Sequence, residues 1–446
     1  MKKGMIRMTL TDLATPVVRS SRLDGLPVAI IGAGPIGLAA AAHLLERDIA
    51  FVVFEAGPNA AASIATWGHT RLFSPWSLLI DPAADRLLQS NREWVAPDRE
   101  TLPTGADLIR DYLKPLSELP QLRDRIRYGA RVVAVSREGM DRTRSVGREQ
   151  APFVLRVEQD GVVTEVSARA VIDASGTYAH PNGLSSNGLD PLGWDDVRDR
   201  VTHALPDVLG RDRARFAGRH TLVVGAGHSA ANTLIALARL ASSESGTSVT
   251  WAIRNANAVR VSSSDDDQLR ARATLGSAVD SLVESGVIQK VDRFEIGSLH
   301  REGEKIVVSG SRGGEHAEIR TDVVVNAAGF RPDLEMLREI RLGLDEIVEA
   351  PKLLAPLIDP NVHSCGTVEP HGFLELQHPE KDFFIAGMKS YGRAPTFLLA
   401  TGYEQVRSIA AWLAGDFESA RKVELLLPAT GVCSTDIGPG ASCCAD

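Results

Sequence analysis

Apolar residues come in short bounded runs along this chain, and one order of runs occurs twice. Val28–Ile31 is wholly apolar, an Ala/Leu-rich helix is predicted over residues 35–46, and residues 49–55 turn apolar again. Short apolar runs bounded by glycine are the signature of parallel strands covered on both faces. The pattern restarts at 220–225, with a helix after it and a strand at 248–254. Between the two starts, 132–137, 153–159 and 161–168 alternate as strands, the last two as a hairpin around Asp160-Gly161. The charged stretch 138–150 reads as a surface loop. Residues 57–125, rich in Trp, Pro and Arg, predict helices at 106–119 and 85–90. Buried strands are predicted at 170–173 and 322–325, a further hairpin within 301–325, and a last strand and helix at 383–386 and 396–413.

Each of the two starts carries a glycine-rich turn. The first is Gly32-Ala33-Gly34-Pro35-Ile36-Gly37, the second Gly225-Ala226-Gly227-His228-Ser229-Ala230. In such a turn the first glycine permits the tight exit from the strand, and the second lets backbone N–H groups approach a pyrophosphate. The third allows the helix to pack on the strand, and the helix N-terminus faces the phosphates. Two such turns imply two dinucleotides, and a chain holding two usually passes a hydride between a nicotinamide and a flavin. Glu55, eighteen positions after Gly37, ends the second strand where a carboxylate can accept hydrogen bonds from both ribose hydroxyls. The first site is therefore assigned to FAD. No acid ends the corresponding strand of the second unit. Arg254 stands there, with Arg260 six residues on, and a guanidinium fork suits a 2′-phosphate. That favours NADPH over NADH, the other reading being an ordinary solvated loop arginine.

The fold class expected is α/β: two Rossmann-type dinucleotide-binding domains, the nicotinamide domain inserted into a discontinuous FAD domain. The boundaries drawn are a lead-in over 1–26, the FAD domain over 27–215 and 326–425, the NADPH domain over 216–325, and a Cys-containing tail over 426–446. Composition narrows the partners. A formal net charge of -8 argues against nucleic acid or an anionic membrane surface. No apolar stretch approaches the ~20 residues of a spanning helix, and the first residues lack the apolar core of a signal peptide. A cytoplasmic location is the default expectation. Four cysteines make no disulfide framework. Oligomeric state leaves no mark on the sequence.

Taken together, these residues resemble the flavin-containing monooxygenases and the low-molecular-weight thioredoxin reductases. Asp173-Ala174-Ser175-Gly176 and Asn326-Ala327-Ala328-Gly329 look like the segments that link the two domains in those families, which adds Gly176 and Gly329 to the cofactor-binding set. More narrowly, Thr70-Arg71-Leu72-Phe73-Ser74-Pro75-Trp76, the stretch Val224 to Asn232, and Lys389 to Phe397 resemble flavoproteins encoded in bacterial arsenic-resistance gene clusters, labelled flavin-binding monooxygenases. The likeness covers roughly residues 27–444. It implies molecular oxygen and a small-molecule substrate, an arsenical among the choices. The aromatic-glycine-histidine fingerprint of such monooxygenases is absent from 177–218, and no Cys-x-x-Cys occurs anywhere. Where the reductases carry Gly-Asp at the flavin ribityl chain, this chain has Gly387-Met388.

Other candidates follow from position. His69, Arg71, Ser74 and Trp76 follow the first β–α–β unit, where a loop would cover the flavin ring. Arg71 is the first candidate for a cation beside the flavin and Arg393 the second, with surface salt bridges the alternative for both. His363, Cys365, His371 and His378 fit no zinc spacing and read as a loop near the flavin. Cys433, Cys443 and Cys444 lie on a Gly/Ser/Thr-rich tail whose composition predicts flexibility. Three thiolates there suit a soft ion such as trivalent arsenic, or a disulfide that exchanges electrons with reduced flavin, or no role at all. Three functions stay open on the residues: oxygen-dependent oxidation of a soft substrate, disulfide or metalloid reduction, and thiol-based metalloid binding or redox sensing with little catalysis.

Overall fold

The computed structural model describes residues 22–257, 270–359, 370–394 and 397–425. Most of the lead-in, Arg260, His363, Cys365, the residues 395–396 and the three tail cysteines lie outside those ranges. The chain begins with β1 (Val28–Ile31), α1 (Pro35–Leu45) and β2 (Phe51–Phe54). After a helical excursion it continues with β3 (Ile126–Arg127), β4 (Arg131–Arg137), β5 (Phe153–Gln159), β6 (Val162–Ala168) and β7 (Ala170–Asp173). The second series runs β8 (Val201–Thr202), β9 (His220–Val224), α2 (His228–Ser243), β10 (Ser248–Ala252), α3 (Arg270–Glu284) and β11 (Ile288–Val291). It continues through β12 (Phe294–Glu302), β13 (Lys305–Arg312), β14 (Glu315–Thr321) and β15 (Val323–Asn326). The chain then adds β16 (Phe383–Ile385) and α4 (Leu399–Ala414).

These strands make two five-stranded parallel sheets, in the orders β16-β7-β1-β2-β3 and β11-β10-β9-β15-β8. Every strand of the second sheet lies in sequence between β7 and β16, so one sheet is inserted into the other. Parallel neighbours need long crossovers, which α1 and α2 supply. Each sheet is the middle of three layers. Val28, Ile30 and Ile172 face a core that includes α1 and α4, while Ala29, Ile31 and Val171 face the antiparallel ribbon β4-β5-β6. In the second unit Val223 and Trp251 face α2 and α3, whereas Leu222 and Val224 face β12-β13-β14. Burial on both faces explains why the strands read as continuous apolar runs.

The helix expected over 106–119 is present but broken. Thr104 and Asp107 form a capping box at its start, then Ile109–Leu113 widens to a π turn before Lys114–Glu118. Pro115 is the cause: it has no N–H for the carbonyl of Asp111, four residues back, and its ring crowds that carbonyl. The freed oxygen accepts a hydrogen bond from the indole N–H of Trp94 at 2.8 Å. Arg148, expected in a surface loop, is buried; with Arg137 it converges on the buried carboxylate of Glu380, tying the ribbon to the segment that leads into β16.

Candidate functional site

The two glycine turns are built alike at the carboxyl ends of the two parallel sheets. Gly32 has φ +99° and Gly225 φ +130°, a region L side chains rarely enter. A Cβ on Gly32 would lie 2.8 Å from the carbonyl oxygen of Ala174, and one on Gly225 2.1 Å from that of Ala327. Each first glycine therefore lies under the turn that follows a neighbouring strand, β7 or β15. The second glycines differ in kind. Gly34 and Gly227 precede the first residues of α1 and α2, and a Cβ on either would meet nothing within 4 Å. An uncovered helix N-terminus with this clearance fits a pyrophosphate. At the third position a Cβ on Gly37 would stand 1.9 Å from the Gly32 carbonyl oxygen. Its counterpart Ala230 is accommodated and buried.

Glu55 directly follows β2, and its carboxylate accepts from the N–H of Ala33 at 2.8 Å and of Gly57 at 2.7 Å. Each oxygen keeps acceptor capacity beyond that one bond, so Glu55 braces the first glycine turn and still offers lone pairs to a ribose. In the second unit the indole N–H of Trp251, in β10, donates to the carbonyl of Gly225 at 2.7 Å and braces that turn instead. Arg254 is exposed beyond β10, and among the described residues its guanidinium makes no ion pair.

The turns after β7 and β15 also repeat. Asp173 Oδ1 accepts from the N–H of Ser175 at 3.1 Å, and Asn326 Oδ1 from that of Ala328 at 3.1 Å. The side chains then part in role. Asn326 donates to the carbonyl of Asn182 at 2.9 Å, and Asn182 donates back to that of Ala328, so the two connections lie side by side with Gly176 and Gly329 at their bends. Tyr178, His203 and Phe330 cluster on that crossing, Tyr178 and His203 with ring centroids 4.7 Å apart. Asp173 instead carries a charge. It pairs at 2.6 Å with Lys389, both side chains fully buried, and the ammonium also donates to Ser175 Oγ at 3.1 Å. Gly387 (φ +71°) comes close to Ile36 of α1, and its N–H donates to Gln405, which in turn bonds Ser390 and His371. Met388, half-buried, is the next residue.

The remaining candidates fall in different places. Arg71 is exposed and its guanidinium donates to the carbonyl of Leu102 at 2.6 Å. Arg393 is also exposed, its backbone N–H bonded to Val348. A cation fully buried at the carboxyl end of the first sheet is Lys389, which sequence reasoning missed. Ser74 and Trp76 are buried and His69 exposed. Between them Phe73 reaches His228, the first residue of α2, with ring centroids 5.4 Å apart, so this loop touches the second glycine turn. His371 and His378 are buried, and no metal-binding group occurs among the described residues.

His378 supplies a pH dependence. Its Nδ1 accepts from the N–H of Gly343, among the described residues its Nε2 has no partner, and burial pushes its pKa down to about 4. Between that value and the ordinary ~6.5 the unfolded chain binds a proton that the folded chain refuses. This contribution is complete above ~6.5 and is lost as pH falls, reaching about 3 kcal/mol near the folded pKa. His378→Asn retains an acceptor for Gly343 and should flatten this part of the acid limb in urea unfolding at ~pH 5 relative to neutral pH. An unchanged acid limb would show that His378 is not its source.

Comparison with known proteins bears on the whole arrangement. Residues 29–364 match the family model described as pyridine nucleotide-disulphide oxidoreductase. The curated indole-3-pyruvate monooxygenase YUCCA6 of Arabidopsis thaliana is 30% identical over 206 residues, 45% of this chain and 42% of that enzyme. The chain thus matches less than half the length of that relative. Among solved structures, a bacillithiol disulfide reductase from Bacillus cereus superposes with TM-score 0.64 at 21% identity, covering 88% of this chain and 99% of that one. The FAD-bound cadaverine monooxygenase DfoA of Erwinia amylovora gives TM-score 0.62 at 14% identity, covering 91% and 98%. The chain belongs to the pyridine nucleotide-disulphide oxidoreductase family and has the fold of that family's two-dinucleotide enzymes, two parallel sheets each ending in a glycine turn.

Proposed function

We propose that the protein takes electrons from NADPH and uses them, through FAD, to oxidise a small soft substrate with molecular oxygen, an arsenical being the leading choice. The observation that carries the electron-entry half is the inequality of the two strand ends: Glu55 braced by two backbone amides at one, the exposed Arg254 at the other. Gly32, Gly34, Pro35 and Gly37 would hold the FAD pyrophosphate on the α1 N-terminus, Glu55 the adenosine ribose, and Gly387 with Met388 the ribityl end. Gly225, Gly227, His228 and Ser229 would hold the NADPH pyrophosphate, and Arg254 the 2′-phosphate. Bound FAD would supply hydride acceptance and delivery of the electron pair to oxygen. Overall, NADPH, a proton, oxygen and substrate give NADP+, water and substrate carrying one oxygen atom, which takes trivalent arsenic to pentavalent. The likeness to a monooxygenase and the lack of Cys-x-x-Cys support oxygen as the acceptor.

Mixed without air, NADPH should reduce the flavin about tenfold faster than NADH at equal low concentration, the least that a charge-assisted contact to the extra phosphate supplies. In air, arsenite or a methylated arsenite should raise NADPH-dependent oxygen uptake and be oxidised in equal amount. Oxygen uptake that yields only hydrogen peroxide, with every arsenical unchanged, overturns the substrate assignment. The family is named for disulphide chemistry, which favours a second reading: Cys443 and Cys444 shuttle electrons from reduced flavin to a disulfide. Under that reading, replacing both by serine abolishes turnover with a disulfide acceptor.

A further inference from the structure

We infer that Arg293, distant in sequence from Arg254, is a second specificity-determining residue for the 2′-phosphate of the adenine nucleotide. The inference rests on the NADPH reading above. In the sheet order β11-β10-β9, β10 ends at Ala252, two residues before Arg254, beside β11, which ends at Val291, so both carboxyl ends flank the same ribose position. The backbone continues that pairing past the strands. Ile253 donates to the carbonyl of Val291 at 3.0 Å, Phe294 to that of Ile253 at 3.0 Å, and Arg293 to that of Asn255 at 3.3 Å.

Charge sets Arg293 apart from its neighbours. Arg312 is committed to Asp292, with Nη2 3.0 Å from its carboxylate, and holds that carboxyl below its usual range. Arg293 and Arg254 are both exposed, and among the described residues neither guanidinium makes an ion pair or hydrogen bond. Two exposed guanidiniums at adjoining strand ends direct positive charge at the same ribose position, and Arg293 also helps Arg312 hold the Asp292 carboxyl down. A phosphate monoester has the charge and the acceptor oxygens to take both. Arg293 also adopts φ +49°, where glycine would be at ease. The bend is fixed from outside, since the N–H of Gly313 donates to the Arg293 carbonyl at 3.2 Å. Arg293→Gly therefore removes the guanidinium at a position whose backbone prefers glycine, and the variant keeps its fold.

The test is calorimetric binding of adenosine 2′,5′-bisphosphate and of adenosine 5′-monophosphate to the flavin-loaded protein. Wild type should prefer the bisphosphate. Arg293→Gly should weaken the bisphosphate by about tenfold, the scale of one charged hydrogen bond, and leave the monophosphate unchanged. The NADPH-to-NADH ratio of kcat/KM should fall by about the same factor, while Arg293→Lys recovers part of it. A wild type that prefers the bisphosphate beside an Arg293→Gly variant that binds it equally well overturns the role of Arg293 alone. A wild type that binds the two nucleotides alike overturns the NADPH reading with it.

Discussion

Lys389→Met should destabilise the protein by about 3–5 kcal/mol, the cost of breaking a buried ion pair from one side. Methionine fills the volume of the lysine stem, so the loss is not a cavity effect. What remains is the Asp173 carboxylate, fully buried and left with the N–H and hydroxyl of Ser175 as donors. The second sheet already contains the remedy. Asn326 builds the same turn with an amide in place of a carboxylate, its Oδ1 accepting from Ala328. Adding Asp173→Asn to Lys389→Met should therefore recover most of the loss, because no charge is then buried and the turn keeps its acceptor. Urea unfolding of the single and double variants, followed by tryptophan fluorescence, measures the coupling. A single variant within about 1 kcal/mol of wild type would mean that water reaches the pair, as it does for exposed pairs.

Gly34→Ser and Gly37→Ala should separate cofactor binding from folding. A Cβ at Gly34 meets nothing within 4 Å and serine is a favoured residue before a helix, so stability should stay within about 0.5 kcal/mol. Its side chain occupies the space above the α1 N-terminus and competes for the N–H groups there, and the purified protein should lose its yellow flavin colour. Alanine at Gly37 is a single methyl group in the other direction. With its Cβ 1.9 Å from the Gly32 carbonyl oxygen, α1 must lift from β1, at a cost of about 1–3 kcal/mol. The flavin should then be lost together with thermal stability. Full flavin retention in Gly34→Ser would show that the pyrophosphate does not pass over this turn.

The glycine turns and the place of Glu55 at the end of β2 are legible because their geometry is local: each needs a residue type at a fixed offset from a strand. The three-layer plan was half legible. Apolar runs announced the parallel strands, and alternation announced the ribbon β4-β5-β6. The helix Arg270–Glu284 is not legible in the sequence, where Leu275, Val279, Leu282 and Val283 are spread among small and charged residues. Lys389 could not be found from spacing, because Asp173 lies 216 residues away and only the pairing of β16 with β7 brings them together. Arg71 drew notice for the opposite reason: its loop is well placed, but its guanidinium turns to a backbone carbonyl at the surface. Arg293 looks ordinary in sequence and becomes notable only beside β10.

The pairing of β16 with β7 also orders assembly in time. On the ribosome the first sheet stands with β7 as a bare edge while the whole second unit is made, since the strand that covers it comes last. An exposed apolar edge strand invites pairing with other chains. The inserted unit, by contrast, has all five of its strands within one continuous stretch and can close first. The Asp173 carboxylate therefore waits beside open backbone until Lys389 arrives with β16. A carboxylate at the end of an uncovered edge strand is the kind of charge that discourages pairing with other chains.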